Sequence, residues 1–383
     1  MTRPDFKSLI RWLDATVVSV AIAVVIGGIT RLTESGLSIT EWKPVSGVLP
    51  PLSEVDWVSA YAKFQEIPQA QTLHAGISMA AFKVLYWWEW LHRLLARGVG
   101  LVIAVPFFWF WAKGQIPASL TLRLASLPVL VAAQGALGWY MVSSGLVERT
   151  NVSQYRLVAH LGLALVILVI ALWTSASLRV AMRGTEEQVS TSFNLTRWAL
   201  VADGFAIWTF VVILSGGFVA GLRAGKSFNT FPLMAGQVVP PGYGQLDGFL
   251  KDAFENPASA QFHHRVLAIV TVFVAVGLWL WVSTADAPAR VVRAQRNVAL
   301  IAAAQVCLGI ATLLLVVPVT VAALHQLVAV VLLGATVLAA HAARRAAREA
   351  RQSGPRIERD RVPLNCAPQI GAPPADVRPC SPP

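Results

Sequence analysis

Eight apolar runs, each near the twenty or so residues that a bilayer span requires, constrain this chain more than any other feature. They cover roughly 12–31, 84–112, 120–142, 156–178, 198–222, 262–284, 296–317 and 320–343. Hydrocarbon offers no water to an open N–H or C=O, so runs of this length fold as helices. Only 13% of the 383 residues are charged, and mean hydropathy is +0.60. The expectation is therefore an all-α polytopic membrane protein with no separate globular domain. A net charge of +11 would suggest nucleic acid in a soluble protein. Here the basic residues gather at the ends of the runs, so the partner they imply is the lipid bilayer and no nucleic acid.

Lys and Arg beside the span ends set the orientation. Arg3, Lys7 and Arg11 precede the first run; Lys113 and Arg123 flank the second connection. Arg179, Arg183 and Arg197 lie in the fourth connection, Arg290, Arg293 and Arg296 in the sixth, and Arg344, Arg345, Arg348 and Arg351 follow the last run. This alternate set puts both termini in the cytoplasm. The N-terminal residues show neither a cleavage site nor transit-peptide character, which favours a bacterial inner membrane and a retained first span. The outer loops, about 32–83 and 223–261, contain Pro50-Pro51 and Pro240-Pro241, and the first carries Trp42 and Trp57. They read as partly ordered lids. Residues 344–383 are expected to be a disordered cytoplasmic tail. Cys307, Cys366 and Cys380 have no CxxC spacing, so neither a thiolate metal site nor a structural disulfide is expected.

The two halves of the chain resemble each other. Gly27-Gly28 and Gly216-Gly217 stand 189 residues apart, as do Gly36 and Gly225, Ser38 and Ser227, and Gly47 and Gly236. Leu91-His92-Arg93 matches His263-His264-Arg265 at 172. Gln134-Gly135-Ala136-Leu137-Gly138 matches Gln305-Val306-Cys307-Leu308-Gly309 at 171, and His160 matches His325 at 165. Spans 1–4 and 5–8 are thus two copies of a four-helix unit, expected as pseudo-symmetric bundles in residues 1–178 and 179–343.

The repeat selects four of the seven histidines: His92, His160, His264 and His325. Each lies near the start of an even-numbered span, at similar depth in the outer leaflet. Two imidazoles on neighbouring helices at one level suit bis-axial ligation of a haem iron. His74, His263 and His341 lack this symmetry and read as structural. Within Glu89-Trp90-Leu91-His92-Arg93, Glu89, His92 and Arg93 share one helix face. Ionisable groups at that depth mark a functional site unless they only anchor the helix end. The copies differ here, for Glu89 is matched by Gln261. A carboxylate in one pocket only suits a reaction site paired with a prosthetic group. A di-haem electron carrier of cytochrome b type is the alternative, and a transporter with a His/Glu proton relay is a second.

At these residues the chain resembles the haem A synthase family, in its mitochondrial and alphaproteobacterial branch. The string Gly27-Gly28-Ile29-Thr30-Arg31-Leu32-Thr33-Glu34-Ser35-Gly36-Leu37-Ser38 carries the likeness, with Glu89-Trp90-Leu91-His92-Arg93 and Ser153-Gln154-Tyr155-Arg156-Leu157-Val158-Ala159-His160-Leu161. Phe262-His263-His264-Arg265 and Leu324-His325-Gln326 extend it, over about residues 12–343. The resemblance implies oxidation of the C8 methyl of haem O to a formyl group, with water as the oxygen source, for cytochrome oxidase biogenesis. It implies catalytic roles for Glu89, His92 and His160 in the N-terminal half. His92 and His160 would ligate the substrate iron or orient the macrocycle. Haem b would be held through its iron by His264 and His325. Arg93 and Arg265 are candidates for haem propionates or for structural pairing. Haem O synthase and cytochrome oxidase assembly factors are candidate partners, and a homo-oligomer stays open. Some bacterial members carry a cysteine pair in the first outer loop; this sequence has none there.

Overall fold

Eight long helices carry the apolar runs: α1 (Lys7–Leu32), α4 (Met79–Ala112), α5 (Ala118–Ser143), α6 (Gln154–Arg183), α7 (Leu195–Gly221), α9 (Pro257–Thr284), α10 (Ala289–Leu314) and α11 (Val319–Gln352). The computed structural model describes residues 6–43, 45–147, 149–184 and 192–352, and among these there is no strand. Short helices α2 (Glu54–Gln65), α3 (Pro68–Thr72) and α8 (Phe249–Glu255) order the two outer loops. Start and stop signals are local. Ser78 caps α4 through the Ala81 N–H, Asn256 caps α9 ahead of Pro257, and Gly184 closes α6 in the left-handed region at φ 57°. Glu54–Gln65 starts at a capping box between Ser53 and Asp56.

In the first set, α1 packs on α4 and α6, and α5 packs on the same two; in the second, α7 packs on α9 and α11, and α10 on those two. The two rings have the same neighbour order. They meet where α6 contacts α7 and α11, and α11 contacts α1. The core of the first ring is Leu13, Ile103, Leu124, Leu165 and Leu168, and Leu333 and Val337 of α11 enter it from the second. Ion pairs recur as well. Asp14 of α1 pairs with Arg179 of α6, and Asp203 of α7 with Arg344 of α11. These pairs stand at the 189 and 165 offsets, so each set ties the start of its first span to the end of its fourth.

Two expectations change. The helices run beyond the apolar windows, most at the start of α10 and the end of α11, because charged residues extend a helix past the membrane without a hydropathy signal. At about 1.5 Å per residue, the 34 residues of α4 span more than the ~30 Å hydrocarbon layer. The tail boundary at 344 is also too early, since α11 continues to Gln352. Its Ala343, Ala346 and Ala347 are buried, and Arg290 and Arg345 both pair with Glu349. Residues 353–383, including Cys366 and Cys380, lie outside the described residues.

Candidate functional site

Glycines seat all four repeat-selected histidines. A Cβ on Gly27 of α1 would stand 2.8 Å from Cε1 of His92 on α4, and one on Gly138 of α5 would stand 3.0 Å from Cε1 of His160 on α6. In the second set, Gly216 of α7 meets His264 of α9 at 3.0 Å, and Gly309 of α10 meets His325 of α11 at 3.0 Å. A side chain there would force the facing imidazole to shift. His92 and His160 are near enough to interact electrostatically, as are His264 and His325. The structure thus brings the four together as two pairs, one in each ring.

The expectation of neighbouring helices needs correction. α4 and α6 stand diagonally across the first ring, each packed on α1 and α5, and α9 and α11 do so across the second. Adjacent helices would close on each other through ridge-and-groove packing at about 8–10 Å. Diagonal ones leave width between two imidazoles for a flat macrocycle.

A glutamine amide sets the proton position on the later histidine of each pair. Gln134 donates its amide N–H to the His160 carbonyl at 3.0 Å, and the same nitrogen faces Nε2 of His160 at 3.4 Å. An amide NH₂ only donates, so Nε2 presents its lone pair and the proton sits on Nδ1. Gln305 faces Nε2 of His325 at 3.4 Å in the same way. Neutral imidazole with an unprotonated Nε2 is the form that binds a metal, and the glutamine amide has to yield that lone pair for it to do so. Among the described residues no cluster of three or more His, Cys, Asp or Glu could hold a bare ion. Two imidazoles per ring fit a metal that brings its own equatorial ligands, as haem iron does.

Glu89 is 2% exposed and lies under the first outer loop. Its Oε2 accepts from the Ser38 hydroxyl at 2.8 Å and the Ile39 N–H at 2.7 Å. Its Oε1 accepts from Arg93, from Nε at 3.0 Å and Nη2 at 2.7 Å. Arg93 also donates to the carbonyls of Ile39 at 2.7 Å and Glu41 at 2.9 Å. Arg265 repeats the device, donating to the Phe228 carbonyl at 2.7 Å and the Thr230 carbonyl at 2.8 Å. Both acceptors stand 189 residues beyond their counterparts. Both arginines therefore clamp outer-loop backbone, and of the two roles open for them the structure displays the structural one. Gln261, at the place of Glu89, turns its amide to the Phe228 carbonyl at 3.3 Å. Trp57, buried against Tyr86 and Phe82, and Trp42, tilted on Trp139, hold the first loop over the ring.

Of the three histidines outside the repeat, His74 lies against the Phe64 ring with Nε2 buried and without a hydrogen-bond partner. His263 meets the Tyr243 hydroxyl at 3.1 Å, and His341 meets the Ser177 hydroxyl at 3.0 Å. Sequence reasoning missed the glycine seats, although Gly27 and Gly138 lay in its motifs, and it missed the backbone clamps. It also missed Glu34 and Arg223, which share a repeat position, share left-handed φ values of 59° and 55°, and pair with each other at 3.0 Å.

Comparison with known proteins places these features in a family context. A model of the COX15-CtaA family, described as cytochrome oxidase assembly protein, matches residues 10–337. A haem A synthase of Chelativorans sp. is 43% identical over 329 residues, 84% of this chain and 87% of that protein. One from Nitrosospira multiformis is 41% identical over 339 residues, 88% of this chain and 94% of its own. One from Maricaulis maris is 42% identical over 342 residues, 89% and 97% of the respective chains.

Proposed function

The chain belongs to the COX15-CtaA family of cytochrome oxidase assembly proteins, and from that premise we propose that it is a membrane enzyme making haem A from haem O. The observation that carries the reading is the pair of diagonal, glycine-seated histidine couples, of which the first has a glutamate, Glu89, one helical turn before His92 where the second has Gln261. The N-terminal ring, within 1–178, takes haem O as substrate, with His92 and His160 on its iron or orienting its ring. The C-terminal ring, within 179–343, holds haem b through His264 and His325. Both termini face the cytoplasm of a bacterial inner membrane, in keeping with the basic residues at the α1 start and the α11 end.

Turning the C8 methyl into a formyl group takes one water and releases four electrons and four protons. Haem b, when bound, supplies one-electron relay chemistry towards an external acceptor. The residues of this chain do the rest. The loop clamped by Arg93 and Glu89 covers the outer mouth of the ring and limits access of bulk water. Glu89 accepts a proton at Oε2, where the Ser38 hydroxyl is the donor that can swing away while Arg93 and the Ile39 N–H keep the carboxylate in place. At position 261 the neutral amide cannot take up a proton, which suits a pocket that only carries electrons.

The test is haem extraction from cells that supply haem O and express wild type, Glu89→Ala or Arg93→Gln. Glu89→Ala is expected to retain haem b and form no haem A. Arg93→Gln loosens the same loop without removing the carboxylate, and is expected to keep a measurable rate. Normal haem A with Glu89→Ala, or equal losses in the two variants, would assign Glu89 to loop anchoring alone.

A further inference from the structure

His92 and His264 occupy repeat-equivalent positions in unlike surroundings. Nδ1 of His264 lies 2.7 Å from the hydroxyl oxygen of Ser215, and that hydroxyl donates to the Val212 carbonyl at 2.7 Å. A hydroxyl has one proton. With it committed to Val212, the contact with His264 closes only if Nδ1 carries the proton and Oγ accepts it. That pins the ring and leaves Nε2 as the basic nitrogen. The residue 189 positions earlier is Ile26, which offers no acceptor. The Ala23 carbonyl, counterpart of the Val212 carbonyl, lies beside the His92 ring, and Nδ1 of His92 meets no side-chain acceptor, as is also the case for Nδ1 of His160 and of His325. The glycine seats are alike, with closest approaches of 2.8 Å at Gly27 and 3.0 Å at Gly216. The Ser215 hydroxyl is what sets the His264 seat apart from the other three.

We propose that Ser215 is a positioning residue that makes the C-terminal pocket a permanent haem site, and that Ile26 leaves the N-terminal pocket able to exchange its haem. This rests on the reading that His264 and His325 hold haem b while His92 and His160 meet the substrate. An acceptor on the far nitrogen of a ligating imidazole fixes its orientation and raises its basicity, and removing such partners typically costs about 10–100-fold in metal affinity. A prosthetic group gains from that tether. A substrate that must leave as product does not, and an apolar isoleucine packs the same space without one.

The experiment uses the full-length protein in detergent or nanodiscs, as wild type, Ser215→Ala, Ser215→Ile, Ile26→Ser and His264→Ala. Three quantities are read: haem types by extraction, haem b transfer to excess haem-free myoglobin, and the haem b midpoint potential. Both Ser215 variants are expected to release haem b about 10–100-fold faster and to shift its potential positive, as a less basic ligand favours ferrous iron. Ile26→Ser is expected to co-purify with more haem O and haem A while haem b release stays at the wild-type rate. Ser215→Ala removes one oxygen atom, so it covers the case in which the isoleucine variant fails to fold. Wild-type release and potential in Ser215→Ala, with haem b abolished in His264→Ala, would overturn the proposal and leave the ligand assignment standing. So would faster release that merely tracks a fall in thermal stability. Full haem b content in His264→Ala would instead remove the ligand assignment, and the proposal with it.

Discussion

Adding one methyl group at Gly309 or at Gly138 separates the two pockets, because the steric insult is the same and only the occupant differs. In either helix the new Cβ stands 3.0 Å from Cε1 of the facing histidine. That is tighter than carbon atoms ordinarily approach, so the ring must give by a few tenths of an ångström. Overpacking of this kind costs about 1–3 kcal/mol. Replacing glycine by alanine inside a helix returns up to about 1 kcal/mol. The net penalty of ~0–2 kcal/mol leaves the fold intact, but a displacement of that size approaches the ~0.5 Å tolerance of a functional constellation. Gly309→Ala is therefore expected to lose or weaken the low-spin haem b spectrum. Gly138→Ala should keep haem b in full and lower haem A formation at least tenfold. Gly135→Ala, on the same helix with no atom within 4 Å of its Cβ, is the control and should match wild type in both respects. Optical and electron paramagnetic resonance spectra of purified protein, with extracted haem ratios, provide the assay. The same haem lost from both variants, or wild-type spectra and turnover in both, would refute the seating argument.

Other expectations address the loops and the ends of the spanning helices. Asp252 in the second outer loop is buried, which pushes its carboxyl up. Hydrogen bonds from the Ser259 hydroxyl, the Asn256 amide at 2.8 Å and the N–H groups of Leu246 and Gly244 at 3.1 Å outweigh that and hold it at about 2, below its ordinary 3.8. A depressed carboxyl stabilises the fold above its unfolded value, so loop protection should be complete above about pH 4 and fall between about pH 4 and 2. Hydrogen exchange of residues 242–256 reads this, and Asp252→Asn should flatten the dependence; an unchanged slope would rule out Asp252 as its source. Arg265→Gln should free the Phe228 and Thr230 carbonyls and raise protease sensitivity of the second outer loop while leaving the first as it was. Equal sensitisation of both loops would contradict two independent clamps. Asp203→Asn should leave Arg344 unpaired and cost about 1 kcal/mol or less, since the pair is partly exposed. A drop in melting temperature beyond roughly 4 °C would mean the pair does more.

Much of the architecture was legible because a bilayer permits few solutions. Each of the eight spans appeared as an apolar run, and their ends were misjudged where polar or charged residues, such as Arg344, Arg345 and Glu349 in α11, continued a helix that hydropathy no longer marked. The four histidines were legible through the repeat, a comparison of the chain with itself that needs no structure. Their diagonal placement was not, since sequence order does not say which helices touch. The role of Arg93 stayed open because its partners are the carbonyls of Ile39 and Glu41, and a carbonyl has no sequence signature. Ser215 and Ile26 could have been paired by offset, but nothing in the sequence shows that the hydroxyl reaches an imidazole nitrogen.

The ion pair between Glu34 and Arg223 has a further consequence. The two residues hold the same place in their copies, have the same left-handed backbone, and carry opposite charges. In an assembly of two separate identical chains, that place would face its own likeness, acid against acid or base against base, and the contact would repel. It can attract only when the copies are written into one polypeptide and are free to diverge. Joining the repeats thus gave the molecule a licence that a symmetric dimer lacks: each pocket can be altered without altering its twin.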